Sequence, residues 1–302
     1  MLQMPTRHNN RPGKTGSTRT GSSGRRFFAT CLVVVAVCCL SAPCWASADD
    51  SPLQLEGQTV QGGLLFGQAP PGSRATIDDE PLMLSADGHF VIGFGRDESA
   101  PRQLLVTLPD GKQIVRSLTP ESRTFDIQRI DGLDQSHVTP PPQVLQRIRD
   151  DARLTRLARE RRDERTDWLD GWIWPAEGRI TGVYGSQRIL NGEPRAPHWG
   201  LDIAAPTGTP VIAPAGGLVT LAEPNLYFSG GTLFIDHGHG LVSAFLHLSE
   251  LLVEVGDYVG QGELIGRIGA TGRATGPHLD WRINLGDRRV DPALLLPPRP
   301  SP

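Results

Sequence analysis

Three histidines and two aspartates in the C-terminal part of the chain could hold a metal ion and carry out hydrolysis. His198 and Asp202 are four residues apart in HWGLD, and His278 and Asp280 are two apart in HLD. Neighbouring prolines and glycines argue against a helix, and in an extended strand both spacings place the paired side chains on one face. His247 lies within the segment FLHL, at an apolar strand end where an imidazole needs a hydrogen-bond partner. Any one of these histidines alone is more often structural, but together they suit metal-assisted hydrolysis.

The first 48 residues have the parts of a secretory signal. Six basic residues and no acid are followed by an apolar run from Phe27 to Leu40 and by the small residues Ala46-Ser47-Ala48. A membrane anchor is the alternative, but the run is shorter than the ~20 residues that a span needs. We therefore expect export to a periplasm, the cell envelope or the medium, with no membrane span after signal removal.

Signal removal also takes away every cysteine, because all four lie within this leader. The mature chain is therefore expected to have no disulfide and no thiolate ligand, so a metal would be held by histidine and carboxylate. The leader contains six of the chain's 30 basic residues and none of its 33 acidic ones, which leaves an acidic mature protein. An acidic protein argues against nucleic acid as a partner, because phosphate contacts need a basic surface.

The remaining chain divides into three regions of different composition. Residues 49–132 contain short β-type runs broken by turn dipeptides and predict a small β-sandwich without catalytic residues, with His89 at the surface. Residues 133–170 predict a Pro-rich linker and a charged, solvated helix that ends near Leu169. Residues 171–302 are rich in glycine and β-formers and predict a second β domain. The expected fold class is therefore mainly β.

Four segments of the last region resemble the lysostaphin-like, or LytM-domain, zinc metalloendopeptidases, which cut peptide cross-links in bacterial cell walls. In chain order, between about Trp174 and Leu296, the segments are HWGLDIAAPTGTPVIAPAGG, LFIDHGHG, FLHLS and GATGRATGPHLDWRI. The resemblance implies a compact antiparallel β fold with its site in a groove flanked by loops. It also implies one zinc ion per chain and peptidoglycan as the substrate.

The resemblance assigns roles to the five residues by motif. His198 and Asp202 match zinc ligands of the family, and His247 and His278 match its catalytic pair. The family's third ligand is the second histidine of an HxH motif, and Asp280 stands in its place. The expected ligand set is therefore His198, Asp202 and Asp280.

Two further histidines, His237 and His239, match the family's DHG turn. A histidine in this turn is not normally a ligand in the family. We therefore expect both to be structural or surface residues, with His239 a distant candidate for the site.

The aspartate at position 280 has two interpretations. In the first, the metal has been lost and the domain survives as a binding module. In the second, the carboxylate replaces the imidazole, since oxygen binds Zn²⁺ at ~2.0–2.2 Å, about the same reach as nitrogen. Zinc with one histidine and two aspartates is formally neutral, which predicts weaker activation of water. The second interpretation is favoured because the other site residues are present and the changed residue is itself a metal ligand.

We therefore predict an exported zinc metalloendopeptidase that hydrolyses peptide bonds in peptidoglycan stem or cross-link peptides. Two alternatives stay open from the sequence. One is a degenerate, non-catalytic LytM-type module that binds the wall or activates another wall hydrolase, and the other is a peptidase acting on a secreted protein. The N-terminal sandwich would dock the wall, cover the groove, or space the enzyme from a cell-envelope protein partner.

Overall fold

A computed structural model of the chain describes residues 51–130, 142–190 and 192–299. These residues form mostly β-strands and one α-helix, which confirms the mainly β fold class. The predicted secretory signal and the Pro-rich segment before the helix lie outside the described residues. Within the described ranges, no helix is long and apolar enough to cross a membrane.

The N-terminal part is a sandwich of two antiparallel sheets. Its strands are β1 Gln54–Gly57, β2 Leu64–Gln68, β3 Arg74–Ile77, β4 Glu80–Pro81, β5 His89–Gly93, β6 Arg102–Thr107 and β7 Gln113–Leu118. One sheet has the order β1-β2-β5 and the other β4-β3-β6-β7. Side chains from both sheets, such as Phe90 and Leu104, share one buried core. This is the β-sandwich that the alternating, turn-rich sequence predicted.

The linker helix is shorter than the sequence predicted. Helix α1 runs from Leu145 to Leu157 and has no buried residues. The charged pattern continues to about Leu169, but the chain leaves the helix at residue 158. Local periodicity could not show this change, because it comes from contacts with distant parts of the chain.

Residues 158–170 form a strap along the C-terminal part rather than a solvated helix. Arg165 donates from Nη2 to the fully buried carboxylate of Asp236 at 2.6 Å. The backbone N–H of His239 donates to the Asp163 carbonyl oxygen at 2.9 Å. Trp168 is 3% exposed and stacks on Phe66 of the sandwich, with the two ring centroids 5.0 Å apart. The strap therefore links the sandwich to the C-terminal sheet through buried contacts.

The C-terminal part is built on one large antiparallel sheet. It contains β9 Arg179–Gly182, β12 Leu201–Ala204, β13 Pro210–Ile212, β14 Gly217–Leu226, β15 Gly230–Asp236, β16 Leu241–Leu251, β17 Tyr258–Val259, β18 Leu264–Ile268, β19 His278–Leu285 and β20 Arg288–Val290. Its main path is β17-β14-β15-β16-β19-β12-β9, with β18 on β16 and β20 on β19. A separate small sheet joins β8 Ile127–Ile130, β10 Gln187–Leu190 and β11 Glu193–Pro194.

The two faces of strand β19 have different environments. Leu279, Trp281 and Ile283 point into the main hydrophobic core and are fully buried. Because side chains alternate along a strand, Asp280 and Arg282 lie on the opposite face. A polar site is thereby mounted on a rigid, well-packed strand.

Candidate metal centre

The site lies where strands β12 and β19 run side by side. Asp202 on β12 is the direct antiparallel partner of Asp280 on β19. His198 precedes β12, and its backbone is held on both sides: its N–H donates to Ser186 at 2.7 Å and its carbonyl oxygen accepts from Gly185 at 2.8 Å. One nitrogen or oxygen atom from each of His198, Asp202 and Asp280 lies within 4.8 Å of the other two. The structure thus brings together the three residues predicted as metal ligands.

The two histidines predicted as catalytic lie beside this group. His278 begins β19, and its Nε2 is 4.0 Å from Oδ1 of Asp202. His247 is on the neighbouring strand β16, and its ring centroid is 4.8 Å from that of His278. All five predicted site residues therefore form one cluster.

Each of the three histidines donates a hydrogen bond from Nδ1 to a backbone carbonyl oxygen. The pairs are His198 with Val183 at 3.1 Å, His247 with Thr271 at 2.8 Å and His278 with Gly276 at 2.8 Å. A carbonyl oxygen can only accept, so Nδ1 of each ring carries the hydrogen and the neutral ring has its lone pair on Nε2. This tautomer is the one that a metal ligand or a general base at Nε2 requires.

The contact between His198 and Asp202 favours a positive charge. Nε2 of His198 lies 3.0 Å from Oδ1 of Asp202 and 3.8 Å from Oδ2 of Asp280, and neither Nε2 nor Oδ1 of Asp202 has a hydrogen-bond partner. Two lone pairs at this distance repel unless a proton or a metal ion lies between them. Burial alone would lower the pKa of His198, but the carboxylates of Asp202 and Asp280 raise it to about 10. These two atoms are therefore suited to binding a cation, such as a divalent metal ion.

Asp280 has a partner that the sequence interpretation did not include. Arg282 donates from Nε to Oδ1 at 2.9 Å and to Oδ2 at 3.1 Å, and from Nη2 to Oδ2 at 2.5 Å. Burial alone would raise the pKa of Asp280, but the charge and hydrogen bonds of Arg282 and the nearby His198 hold it well below its ordinary value. The alternation in HLDWR, which places positions 278, 280 and 282 on one face, was the signal available for finding Arg282.

Two glycines leave space for the carboxylates. A Cβ atom on Gly182 would lie 2.2 Å from Oδ2 of Asp202. A Cβ atom on Gly200 would lie 2.6 Å from Oδ1 of Asp280. Both distances are far below van der Waals contact, so any larger residue would displace a predicted ligand.

His247 is held in a strained backbone conformation. Its φ is +66°, in the left-handed region that non-glycine residues rarely adopt. The strain is balanced by bonds from its N–H to Ser229 at 2.8 Å and from its Nδ1 to Thr271. Thr271 is itself fixed, because its hydroxyl donates to Leu248 at 2.8 Å and accepts from the N–H of Gly231 at 2.9 Å. Thr271, which the sequence interpretation also missed, therefore orients this imidazole.

Three other histidines in the described residues lie away from the cluster and support the fold. His237 is fully buried, its Nε2 is 2.8 Å from the hydroxyl of Ser243, and burial lowers its pKa to about 4. His239 is also buried, with its ring edge on Trp168. His89 was predicted at the surface, which is wrong: it is half-buried, and its ring meets Trp168 edge to face at 6.3 Å. The reason is the strap, which carries Trp168 against the sandwich.

Comparison with known proteins places this cluster in a described family. The model of peptidase family M23 matches residues 196–292, which contain all five site residues. Peptidoglycan DD-endopeptidase ShyA of Vibrio cholerae is 42% identical over 114 residues, 37% of this chain and 26% of that protein. The lipoprotein NlpD/LppB homolog of Pseudomonas aeruginosa is 37% identical over 131 residues, 43% of this chain and 41% of that protein. The chain therefore matches less than half the length of these curated relatives.

One solved structure is similar over most of both chains. The crystal structure of a peptidase M23 protein from Pseudomonas aeruginosa has 31% identity and a TM-score of 0.60, covering 79% of this chain and 95% of that one. A match of this extent reaches well beyond residues 196–292 and includes other parts of the described fold. It confirms the resemblance carried by the four sequence segments. The chain belongs to peptidase family M23.

Proposed function

We propose that this protein is a zinc-dependent endopeptidase that hydrolyses peptide bonds in peptidoglycan stem or cross-link peptides. The observation that carries the proposal is the cluster of two carboxylates and three imidazoles, in which every imidazole has its Nδ1 committed to a carbonyl oxygen. The substrate class is supported by relatives named as peptidoglycan DD-endopeptidase and DD-carboxypeptidase/endopeptidase. Those proteins are matched over only part of their length, so the same substrate class is proposed for this chain.

His198, Asp202 and Asp280 would hold the metal. The set offers one nitrogen and two carboxylate groups, all common zinc ligands, and leaves a position for substrate or water. When bound, zinc would supply a positive charge that makes a water molecule more acidic and polarises the scissile carbonyl group. The two unpartnered atoms of His198 and Asp202 support this assignment, because a metal would satisfy both.

His247 and His278 would act on the attacking water and on the oxyanion. Burial lowers the pKa of His247, although the bond to Thr271 opposes this, so its Nε2 is available to accept a proton near neutral pH. An imidazole that has gained a proton can then donate a hydrogen bond to the tetrahedral oxyanion, an effect often worth about 3 kcal/mol. The adjacent rings of the pair allow one to orient the water while the other stabilises the oxyanion.

The proposal includes the place of action. We infer that residues 1–48 direct export and that the mature protein works in the periplasm or cell envelope, with the sandwich free to contact the wall or an envelope protein. Relatives that include the NlpD/LppB homolog and cell division protein DipM of Caulobacter vibrioides support an envelope location.

The test is digestion of purified peptidoglycan, with released fragments identified by mass spectrometry. We expect new peptide ends from the wild-type protein, and none after addition of a chelator or from His198→Ala. The positions of these ends would identify the scissile bond. A wild-type protein that binds zinc yet releases no peptide ends from any peptidoglycan preparation would refute the proposed activity.

The role of His278 is tested separately from that of the ligands. We expect His278→Ala to abolish cleavage while leaving about one zinc per chain, measured by mass spectrometry of the metal. The reason is that His278 Nε2 lies near the ligand group but the three proposed ligands are intact without it. Loss of zinc from His278→Ala would make this residue a ligand and contradict the assignment.

A second candidate function is a non-catalytic module that binds the wall or activates another hydrolase. The observation in its favour is the ion pair of Asp280 with Arg282, which engages both oxygens of a proposed ligand. This candidate predicts that the purified protein takes up no zinc and that His198→Ala leaves its cellular role unchanged.

A further inference from the structure

The ion pair between Asp280 and Arg282 is the least ordinary feature of the site. Three hydrogen bonds of 2.5 to 3.1 Å join the guanidinium to both carboxylate oxygens. The side chain of Asp280 is 4% exposed and that of Arg282 is 25% exposed. A paired, largely desolvated charge of this kind is stable only while both partners are present.

The pair changes the electrostatics of the site. Asp202 and Asp280 are direct cross-strand partners, and two like charges in this arrangement repel. Arg282 removes half of that negative charge. A divalent cation with two carboxylates is formally neutral, but with Arg282 included the site keeps one net positive charge. A divalent cation held by two histidines and one aspartate has the same net charge.

The neighbours of Arg282 make Asp280 its necessary counterion. Burial and the charge of Arg282 together lower the pKa of Arg289 to about 10. Burial likewise lowers the pKa of Arg159, Asp287 raises it, and Arg282 again lowers it. Arg282 therefore lies among cations, and within the described residues its ion pair is with Asp280.

We propose that Arg282 is a positioning residue that makes Asp280 equivalent in charge to a neutral ligand, so that the Asp280–Arg282 pair takes the place of one histidine. The inference rests on the proposed zinc-dependent function. Carboxylate oxygens have further lone pairs, so Asp280 can accept from Arg282 and still face a metal with one oxygen. Arg282 fixes the carboxylate plane while its charge preserves the positive character that water activation requires.

The proposal makes an unusual prediction for the substitution that restores a histidine at position 280. Asp280→His alone leaves Arg282 as an unpaired cation beside a divalent metal, so zinc affinity should fall by roughly tenfold or more relative to wild type. Asp280→His with Arg282→Gln removes that charge, and its zinc affinity should return to the wild-type value or exceed it. Asp280→His should therefore reach the zinc affinity of wild type only when it is combined with Arg282→Gln.

The experiment measures zinc affinity by competition with a chromophoric chelator, which needs no substrate. Arg282→Lys keeps the charge, and its zinc affinity should be within about threefold of wild type. Arg282→Gln removes the charge, so it should bind zinc more tightly than wild type and cleave peptidoglycan more slowly. Equal loss of zinc from the Lys and Gln variants would reduce Arg282 to a steric support and overturn the proposal.

The outcomes separate this inference from the proposed function. A wild-type protein that binds no zinc refutes the metallopeptidase and this inference with it. A wild-type protein that binds zinc, with Asp280→His binding it as tightly or more tightly, refutes only the role of Arg282. If Asp280→His does not fold, the proposal still predicts that the double variant folds and binds zinc. A double variant that does not fold overturns the proposal. Thermal melting in the presence of a chelator reports folding independently of the metal.

Discussion

Gly200→Ala should displace a predicted zinc ligand without changing any ligand. The added Cβ would lie 2.6 Å from Oδ1 of Asp280 and 2.5 Å from the backbone carbonyl oxygen of Trp281. Ordinary contact begins near 3.4 Å, so the groups must separate by roughly 0.8 Å. The carbonyl belongs to strand β19, which packs against the core and cannot move freely. The displacement therefore falls on Asp280, on the side chain of Arg282, whose Cγ would also lie 2.6 Å from the new Cβ, and on the spacing of the two strands.

This displacement exceeds what a zinc site tolerates. Metal–ligand distances in functional sites stay within about 0.2 Å of their preferred values. We expect zinc affinity to fall by roughly 10- to 100-fold, because the shift moves a ligand oxygen itself out of bonding distance. Competition with a chelator measures this affinity, and cleavage of peptidoglycan at saturating zinc measures the activity that remains.

Gly276→Ala is the matched control for this prediction. A Cβ at Gly276 meets no heavy atom within 4 Å, although the residue lies two positions before His278. Its zinc affinity should equal that of wild type. If a folded Gly200→Ala binds zinc as tightly as Gly276→Ala does, then Asp280 is not a ligand and the reasoning fails.

Three further predictions concern the groups that support the site. Thr271→Val should slow cleavage about tenfold and leave zinc bound, because the loop that accepts from Nδ1 of His247 loses the anchoring hydroxyl. Arg165→Met should lower the free energy of unfolding by about 3 kcal/mol in urea titrations, since it leaves the fully buried Asp236 without its nearest cation. For His237→Gln, we compare the free energy of unfolding with that of wild type. The difference between the two proteins should decrease by about 3 kcal/mol as the pH falls from 7 to 4. The wild-type imidazole has a folded pKa of about 4, below its ordinary 6.5, so its contribution is present above pH 6.5 and is lost as pH falls to 4.

Each of these predictions has a comparison that could contradict it. Thr275→Val changes an exposed threonine in the same loop, and equal slowing by both valines would remove the special role of Thr271. Arg288→Met breaks a more exposed pair with Glu98 and should cost no more than about 1 kcal/mol. A stability gap between wild type and His237→Gln that is independent of pH would show that this imidazole titrates equally in the folded and unfolded chain.

The sequence predicted the parts of the fold that depend on local pattern. Alternation and turn residues indicated the sandwich, and the spacing in HWGLD and HLD placed paired side chains on one face of each strand. The strap was missed because its conformation comes from long-range contacts, such as Arg165 with Asp236 and Trp168 with Phe66. A charged segment of this composition has the pattern of a solvated helix until its distant partners are known.

The sequence predicted the residues of the candidate site and missed the residues that support them. His198, Asp202 and Asp280 were identified by residue type and motif, and the structure brings them together. Thr271 acts through its carbonyl oxygen and hydroxyl, and these contacts depend on a loop geometry that no spacing rule predicts. Arg282 differs, because the strand period alone places it beside Asp280.

Arg282 also bears on whether the aspartate is a remnant of a lost metal site. A site that had merely lost its third ligand would leave two facing carboxylates, Asp202 and Asp280, with no cation nearby and a strong tendency to take up protons. The structure instead provides a guanidinium that neutralises one carboxylate and leaves Nε2 of His198 and Oδ1 of Asp202 3.0 Å apart without a hydrogen-bond partner. An arginine that served only to fill the place of a metal would be expected to bridge both carboxylates. Its restriction to Asp280 keeps the space beside His198 and Asp202 suited to a second cation, which is the arrangement that the proposed metal site requires.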